Sequence, residues 1–407
     1  MTTSVLQARP AMQGTSLALS NLRGVVIIIV LAFHSMLAYL DWLPAKPIPF
    51  NVPPYLWQAF PVIDQQRWFG FDLFCAWQDV CLMSMMFFLS GLFVWSSLRR
   101  KGGWRFLSDR LWRIGLPSGL ILVFAMPLTY YPTYHLSAAN PSIAGFWQEW
   151  FALPFWPCGH LWFIWQLLAM NVLVAALHGM LPRWGEWIGS RPLLGGTRPT
   201  VFLAGLAVAS AIAYIPLAYA FTPWAWTHFG PVGFQICRPL HYVVFFAAGA
   251  AVGAYGLERG LAAVDGPLAR RWLPWGAAAL VTFGLWGWLT GITLENGDRT
   301  ALPIQLGSHL GFVLSCATGC LFMLALFLRF AARMRWRVLD SLSENAYGMY
   351  LVHYVFVIWL QFALVQVALP AFGKVAIVLG ISLIASWALA AALSGMAVGG
   401  RLVGARR

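Results

Sequence analysis

The chain has 407 residues, 60% of them hydrophobic and only 10% charged, and its mean hydropathy is +0.72. A soluble globular domain carries about 25% charged residues, so composition excludes that class and predicts an integral membrane protein in a lipid bilayer. The formal charge of +13 does not signal nucleic acid, because the basic residues lie between apolar runs and account for topology instead.

Runs long enough to span a hydrocarbon core of about 30 Å occur at 24–43, 73–97, 114–134, 160–181, 200–220, 239–257, 273–293, 305–329, 346–368 and 373–395. They predict an all-α integral membrane protein of about ten transmembrane helices in a single domain over 1–407. A tail at 1–22 precedes the bundle at 24–395, and a tail at 396–407 follows it. With the amino terminus in the cytoplasm, 21 of the 26 basic residues fall on the cytoplasmic side. Only Lys46, Arg67, Arg238, Arg299 and Lys374 fall outside. This split follows the positive-inside rule and places both termini in the cytoplasm. No small-residue cleavage site follows the first run, so it reads as a retained span rather than a signal peptide.

In chain order, the first run begins at Arg23 and carries one histidine, His34. Eleven residues of helix rise ~16 Å and make about three turns, so the two side chains share one stripe. Arg23 lies at the surface and His34 deep within. An ionisable group inside a span needs a partner or a function, and a neutral imidazole suits general-base catalysis.

The second run contains Asp79. Asp79 is expected about 9 Å deep and His34 about 12 Å below the outer end of its helix, so an antiparallel pair would let Asp79 orient His34 as in a catalytic triad; a solvated Asp79 at the outer rim is the alternative. The loop RRKGGWRFLSDRLWR, 99–113, holds the densest basic cluster, with Arg110 and Arg113 three residues apart on one face if helical. Gly102-Gly103 breaks the preceding helix there, and Ser108 or Asp109 would cap the next. Arginine forks bind phosphate well.

The outer segments 44–72 and 135–159 are rich in Pro and Trp, which disfavours regular helix and suits an interface or a sugar-stacking mouth. His160, Arg238, His241 and His309 fall near outer span ends, where they would line an acceptor pocket or simply sit at the interface. Gly249 and Gly253 form a small-xxx-small pattern for tight helix packing. Ser341 and Glu344 read as a capping box, which puts His353 about 16 Å into the ninth span.

The six cysteines show no zinc or CxxC spacing, and no metal is expected. Cys158 and Cys237 fall near the same face, which leaves a disulfide open. No HExxH, Walker A, GxSxG or dinucleotide fingerprint is present.

Five stretches in order, NLRG…FHS, MMFFLSGLFVWSSL, FLSDRLWRIGLP, GHLWFIWQLL and LSENAYGMYLVHYVFV, resemble the acyltransferase 3 family of membrane acyl-CoA-dependent transferases. The resemblance implies a ten-helix inner-membrane domain that moves acyl groups from cytoplasmic acyl donors to periplasmic or lipid-linked glycans. On that basis His34 matches the catalytic histidine, Arg23 its paired arginine, and Arg110 and Arg113 the pair associated with acyl-CoA handling. Relatives succinylate glucans or acetylate O-antigen sugars, macrolides or peptidoglycan. No fused hydrolase-like domain follows the tenth run, so two-step transfer through one is not expected.

The expected reaction carries an acetyl or succinyl group from acyl-CoA, a co-substrate rather than a resident cofactor, to a glycan hydroxyl. His34 acts as base with Asp79 orienting it, or forms a transient acyl-histidine. Arg23, Arg110 and Arg113 would hold the nucleotide, with the pantetheine arm running along the helix stripe. No residue stands out as oxyanion donor; Ser90, Tyr350 and His353 are candidates, and His160 is a candidate acceptor contact. The 23 Arg to 3 Lys suggest a GC-rich bacterium and hence a bacterial inner membrane. The rivals are a secondary transporter of a small anionic solute, whose inverted repeats are not seen, and a non-enzymatic scaffold or sensor, which leaves the Arg–His stripe unexplained.

Overall fold

The structure, a computed structural model, describes residues 2–395, with side-chain detail from residue 14 onward. The expected tail at 396–407, with Arg401, Arg406 and Arg407, lies outside the described residues. Among those described, nine helices are long and apolar enough to cross a membrane: Gly14–Tyr39, Phe69–Lys101, Gly103–Ser137, Gly159–Met180, Pro199–Phe221, Trp272–Arg299, Leu302–Phe330, Arg337–Leu364 and Ala371–Gly395. The sixth apolar run forms a shorter helix, Pro239–Tyr255. Its 17 residues rise ~25 Å. The ten helices therefore follow the ten apolar runs in order, and they are called spans 1 to 10 below. The fold is an all-α multi-pass bundle.

Span 1 packs along span 9, span 9 along span 10, span 2 along span 6 and span 7 along span 8. Glycine makes the closest of these approaches possible. A Cβ on Gly249 would lie 2.0 Å from the Phe88 carbonyl oxygen, one on Gly253 2.0 Å from that of Leu92, and one on Gly91 2.1 Å from that of Phe246. Between apolar helices in lipid, such backbone contact supplies the dispersion that water would otherwise drive. Span 8 is the most enclosed helix and span 7 faces outward along most of its length.

The structure departs from the sequence expectations at several places. Span 1 is part of a helix that runs from Thr2 to Met36 and ends in a tight turn, Leu37–Tyr39. The apolar residues Leu40 and Leu43 are buried beneath loops, not in lipid, so His34 occupies the last helical turn. Helices also form where proline suggested none: Ile143–Ala152 is started by the Ser142 side chain, which accepts from the Gly145 amide at 3.0 Å.

A hairpin, Trp226–Phe229 paired antiparallel with Val232–Gln235, was not anticipated. Gly102, at φ 74°, turns the chain sharply between spans 2 and 3. The helix resumes at once at Gly103, so neither Ser108 nor Asp109 caps it; Asp109 instead pairs with Lys101 across the corner. Span 9 starts at Arg337, a turn before the expected capping box. Ser341 is thus inside the helix and accepts from Trp387 of span 10 at 3.0 Å. All six cysteines are free. Burial pushes the Cys158 thiol up to about 11, which keeps it protonated.

An apolar cluster covers the His34 end of the bundle. It joins the 40–68 segment, the 143–152 helix and the ends of spans 3 and 9 around Trp57, Tyr130, Trp150 and Tyr354. Its polar ties are specific. The Gln58 carbonyl accepts from Tyr130 Oη at 2.9 Å and Tyr354 Oη at 3.4 Å, and the Gln58 side chain meets His228 of the hairpin at 3.0 Å. Asp64 pairs with Lys374 of span 10 at 2.6 Å, both almost fully buried. These contacts hold a roof over the last turn of span 1.

Candidate active site

Three histidines from three spans meet under this roof. His34 ends span 1, His160 opens span 4, and His353 lies within span 9. Ring centroids are 4.9 Å apart for His34 and His353, 4.9 Å for His160 and His353, and 6.4 Å for His34 and His160. Tyr354 stands 5.0 Å from His34 and 5.1 Å from His160.

Span 9 organises the cluster. A helix end leaves its last carbonyls without intrahelical donors, and Gln361 Nε2 donates to the His34 and Ser35 carbonyls at 2.9 and 3.2 Å. The last turn of span 1 is thereby tied to span 9. The Tyr350 hydroxyl donates to the His160 carbonyl, which fixes the start of span 4.

Hydrogen-bond partners then dictate the tautomers. Nδ1 of His353 faces the Tyr350 and Met349 carbonyls at 2.8 and 3.2 Å. Carbonyls only accept, so Nδ1 carries the proton and Nε2 of a neutral His353 is an acceptor. That Nε2 stands 3.2 Å from Nδ1 of His34, which also faces the Val30 carbonyl at 2.9 Å. Nδ1 of His34 therefore carries its own proton, and its Nε2 keeps a lone pair. His353 is fully buried while His34 is half-buried. The arrangement presents one unprotonated, accessible nitrogen in an otherwise enclosed site, which is the requirement for a general base.

The other expected residues are placed as follows. Asp79 does not orient His34. Its carboxylate is forked by Arg238, with Nη2 to Oδ2 at 2.5 Å and Nη1 to Oδ1 at 3.2 Å, because span 2 presents this face to span 6. Ser90 donates to the Met86 carbonyl in its own helix at 2.8 Å. It lies fifteen residues, ~22 Å along a helix, from Cys75, which neighbours the Phe33 carbonyl. It is thus far from His34 and is no oxyanion donor there. Tyr350 and His353 join the cluster, but their polar atoms are engaged within the protein.

Arg23 is exposed, but it lies nine residues inside span 1 rather than at its start, because the helix begins well before the apolar run. Arg110 is half-buried with its guanidinium 5.2 Å from the Phe106 ring, and Arg113 is exposed. A π-helical turn, Leu111–Gly115, follows Arg110, so the α-helical step assumed between the two arginines is not kept. Just before Arg110 in the chain, an open depression is lined by Arg100, Lys101, Trp104, Arg105, Ser108 and Asp109. The stripe between Arg23 and His34 is not an open groove, for Ile27 and Val30 on it are packed at 4% and 2% exposure.

His241 belongs to a separate buried network. It lies 3.0 Å from Ser84 Oγ and 2.6 Å from Ser210 Oγ. His309 lines a small cavity with Arg238 and Trp286. Sequence reasoning missed Gln361 and Tyr354. A lone Gln two turns past His353, in an otherwise apolar run, was the available signal for the first.

A family model described as an acyltransferase domain matches residues 16–391, nearly the whole chain. The chain belongs to the acyltransferase 3 family. No curated protein and no solved structure matches it. This membrane acyltransferase needs an acyl donor and an acceptor, and the family match spans His34, His160 and His353 together.

Proposed function

We propose that the acyltransferase moves an acetyl or succinyl group from cytoplasmic acyl-CoA to a hydroxyl of a periplasmic or lipid-linked glycan across a bacterial inner membrane. The observation that carries this reading is the free Nε2 lone pair of His34, set by His353 and held at the end of the bundle away from the basic cluster. His34 removes the hydroxyl proton as the oxygen attacks the thioester carbonyl. The same proton then leaves with the CoA thiolate. The charge split favours an orientation with Arg23, Arg110 and Arg113 toward the cytoplasmic side, as both termini would be, and guanidiniums there suit the phosphates of the nucleotide. For the thioester to reach His34, the packing around Ile27 and Val30 must part to admit the pantetheine arm. Aromatic residues of the roof suit a sugar face.

The test is thiol release by purified protein from acetyl- or succinyl-CoA, with and without candidate glycans. Acceptor-dependent release that disappears in His34→Ala, with donor binding kept, is expected. Release that survives the substitution contradicts the role of His34, and no release with any donor contradicts the choice of acyl-CoA.

A further inference from the structure

We propose that His160 is a second catalytic residue, whose ring N–H donates to the acyl-donor carbonyl oxygen as it becomes an oxyanion. The inference rests on the acyl-transfer reading above. Neither ring nitrogen of His160 makes a hydrogen bond of regular geometry, although the residue is only 4% exposed and the Tyr350 and Leu351 backbones lie near its ring. A neutral imidazole always presents one N–H donor, and leaving it buried and unmet is costly. Active sites hold such donors ready because they are satisfied only when charge develops on the substrate.

The orphaned ring is firmly placed. Its carbonyl is held by the Tyr350 hydroxyl, and its ring is flanked by Tyr350, His353 and Tyr354 at 5.0, 4.9 and 5.1 Å. The preceding Gly159 has φ of 50°. A Cβ there would stand 3.1 Å from both Tyr130 Oη and Tyr354 Cε1, so the left-handed conformation favours glycine at this turn and the space around it is tight. The donors that flank it are spent: His353 Nδ1 on carbonyls, Tyr350 on the His160 carbonyl and Tyr354 on the Gln58 carbonyl.

The 6.4 Å between the rings of His34 and His160 is too long for a direct hydrogen bond and suits one planar acyl group between them. The acceptor oxygen bonds to the carbonyl carbon while its proton passes to His34 Nε2. The carbonyl π pair moves onto the carbonyl oxygen, which accepts from His160. Collapse restores the C=O bond and breaks the C–S bond, and the thiolate takes the proton back from His34.

The test compares the full-length wild type with His160→Phe and His160→Gln, using acetyl-CoA and its dithioester analogue, in which sulfur replaces the carbonyl oxygen and accepts hydrogen bonds poorly. His160→Phe should lower kcat about 10²- to 10³-fold, keep the donor KM and the shape of the pH profile, and erase most of the wild-type preference for oxygen over sulfur. His160→Gln, which keeps a donor, should retain part of both rate and preference, and it stands in if the Phe variant does not fold. An unchanged kcat, or a loss of rate with the oxygen preference intact, overturns the assignment while leaving the His34 reading in place. Wild type that releases no thiol from acyl-CoA overturns both.

Discussion

Nε2 of His353 stands 3.2 Å from Nδ1 of His34, and this contact between spans 9 and 1 takes the orienting role that the sequence suggested for Asp79. A carboxylate there would hold an imidazolium after proton transfer. A neutral imidazole instead selects the tautomer without adding a charge to a buried site, where an unpaired charge is expensive.

His353→Phe should therefore lower kcat by about 10²-fold, within the range of general-base contributions, with little change in donor KM. His353→Gln, whose amide oxygen can accept from His34 Nδ1, should recover part of that loss. Steady-state kinetics on both variants checks this, and equal defects in the two would argue against tautomer selection.

Gln361→Leu strands the His34 and Ser35 carbonyls at the end of their helix. The expected cost is about 1 kcal/mol, since interhelical hydrogen bonds in membranes are modest, together with a fall in kcat as the last turn of span 1 loosens. Thermal unfolding in detergent and initial rates should move together.

Much of this site could be read in the sequence, and the reasons for the rest are physical. Apolar run length gives the spans because the bilayer sets it, and a histidine in such a run announces itself by its cost. Partnership is different. Whether Asp79 faces span 1 or span 6 depends on which helices touch, and the Gly249 and Gly253 pattern marks a close contact without naming the partner helix. Leu40 and Leu43 read as membrane because burial under a roof and burial in lipid select the same residues. The unmet ring N–H of His160 is a property of three-dimensional neighbours and has no sequence signal.

Gly249→Leu should be severe. Its side chain would begin 2.0 Å from the Phe88 carbonyl oxygen, and backbone atoms cannot move aside as a flexible side chain can. Spans 2 and 6 must separate, so well-folded protein should be lost, visible as aggregation on size-exclusion chromatography. Gly373→Ala, where a Cβ meets nothing within 4 Å, is the matched control and should behave as wild type.

Lys374→Met leaves Asp64 buried without its cation. Removing one partner of a buried pair costs about 3–5 kcal/mol, whereas replacing both with apolar residues is often neutral. The single variant should lower the unfolding midpoint, and the double variant Asp64→Leu/Lys374→Met should regain most of it. Because Asp64 anchors the 40–68 segment, the single variant should also lose acyl transfer more readily on warming.

The tautomer of His34 is the most direct test of the catalytic account. Nitrogen-15 NMR of histidine-labelled protein in lipid, with the His34→Gln spectrum used to assign the His34 signals, distinguishes a protonated from an unprotonated ring nitrogen. The account predicts Nδ1–H and an unprotonated Nε2 at neutral pH, with this pattern lost in His353→Phe. A proton on Nε2 and a bare Nδ1 would contradict it.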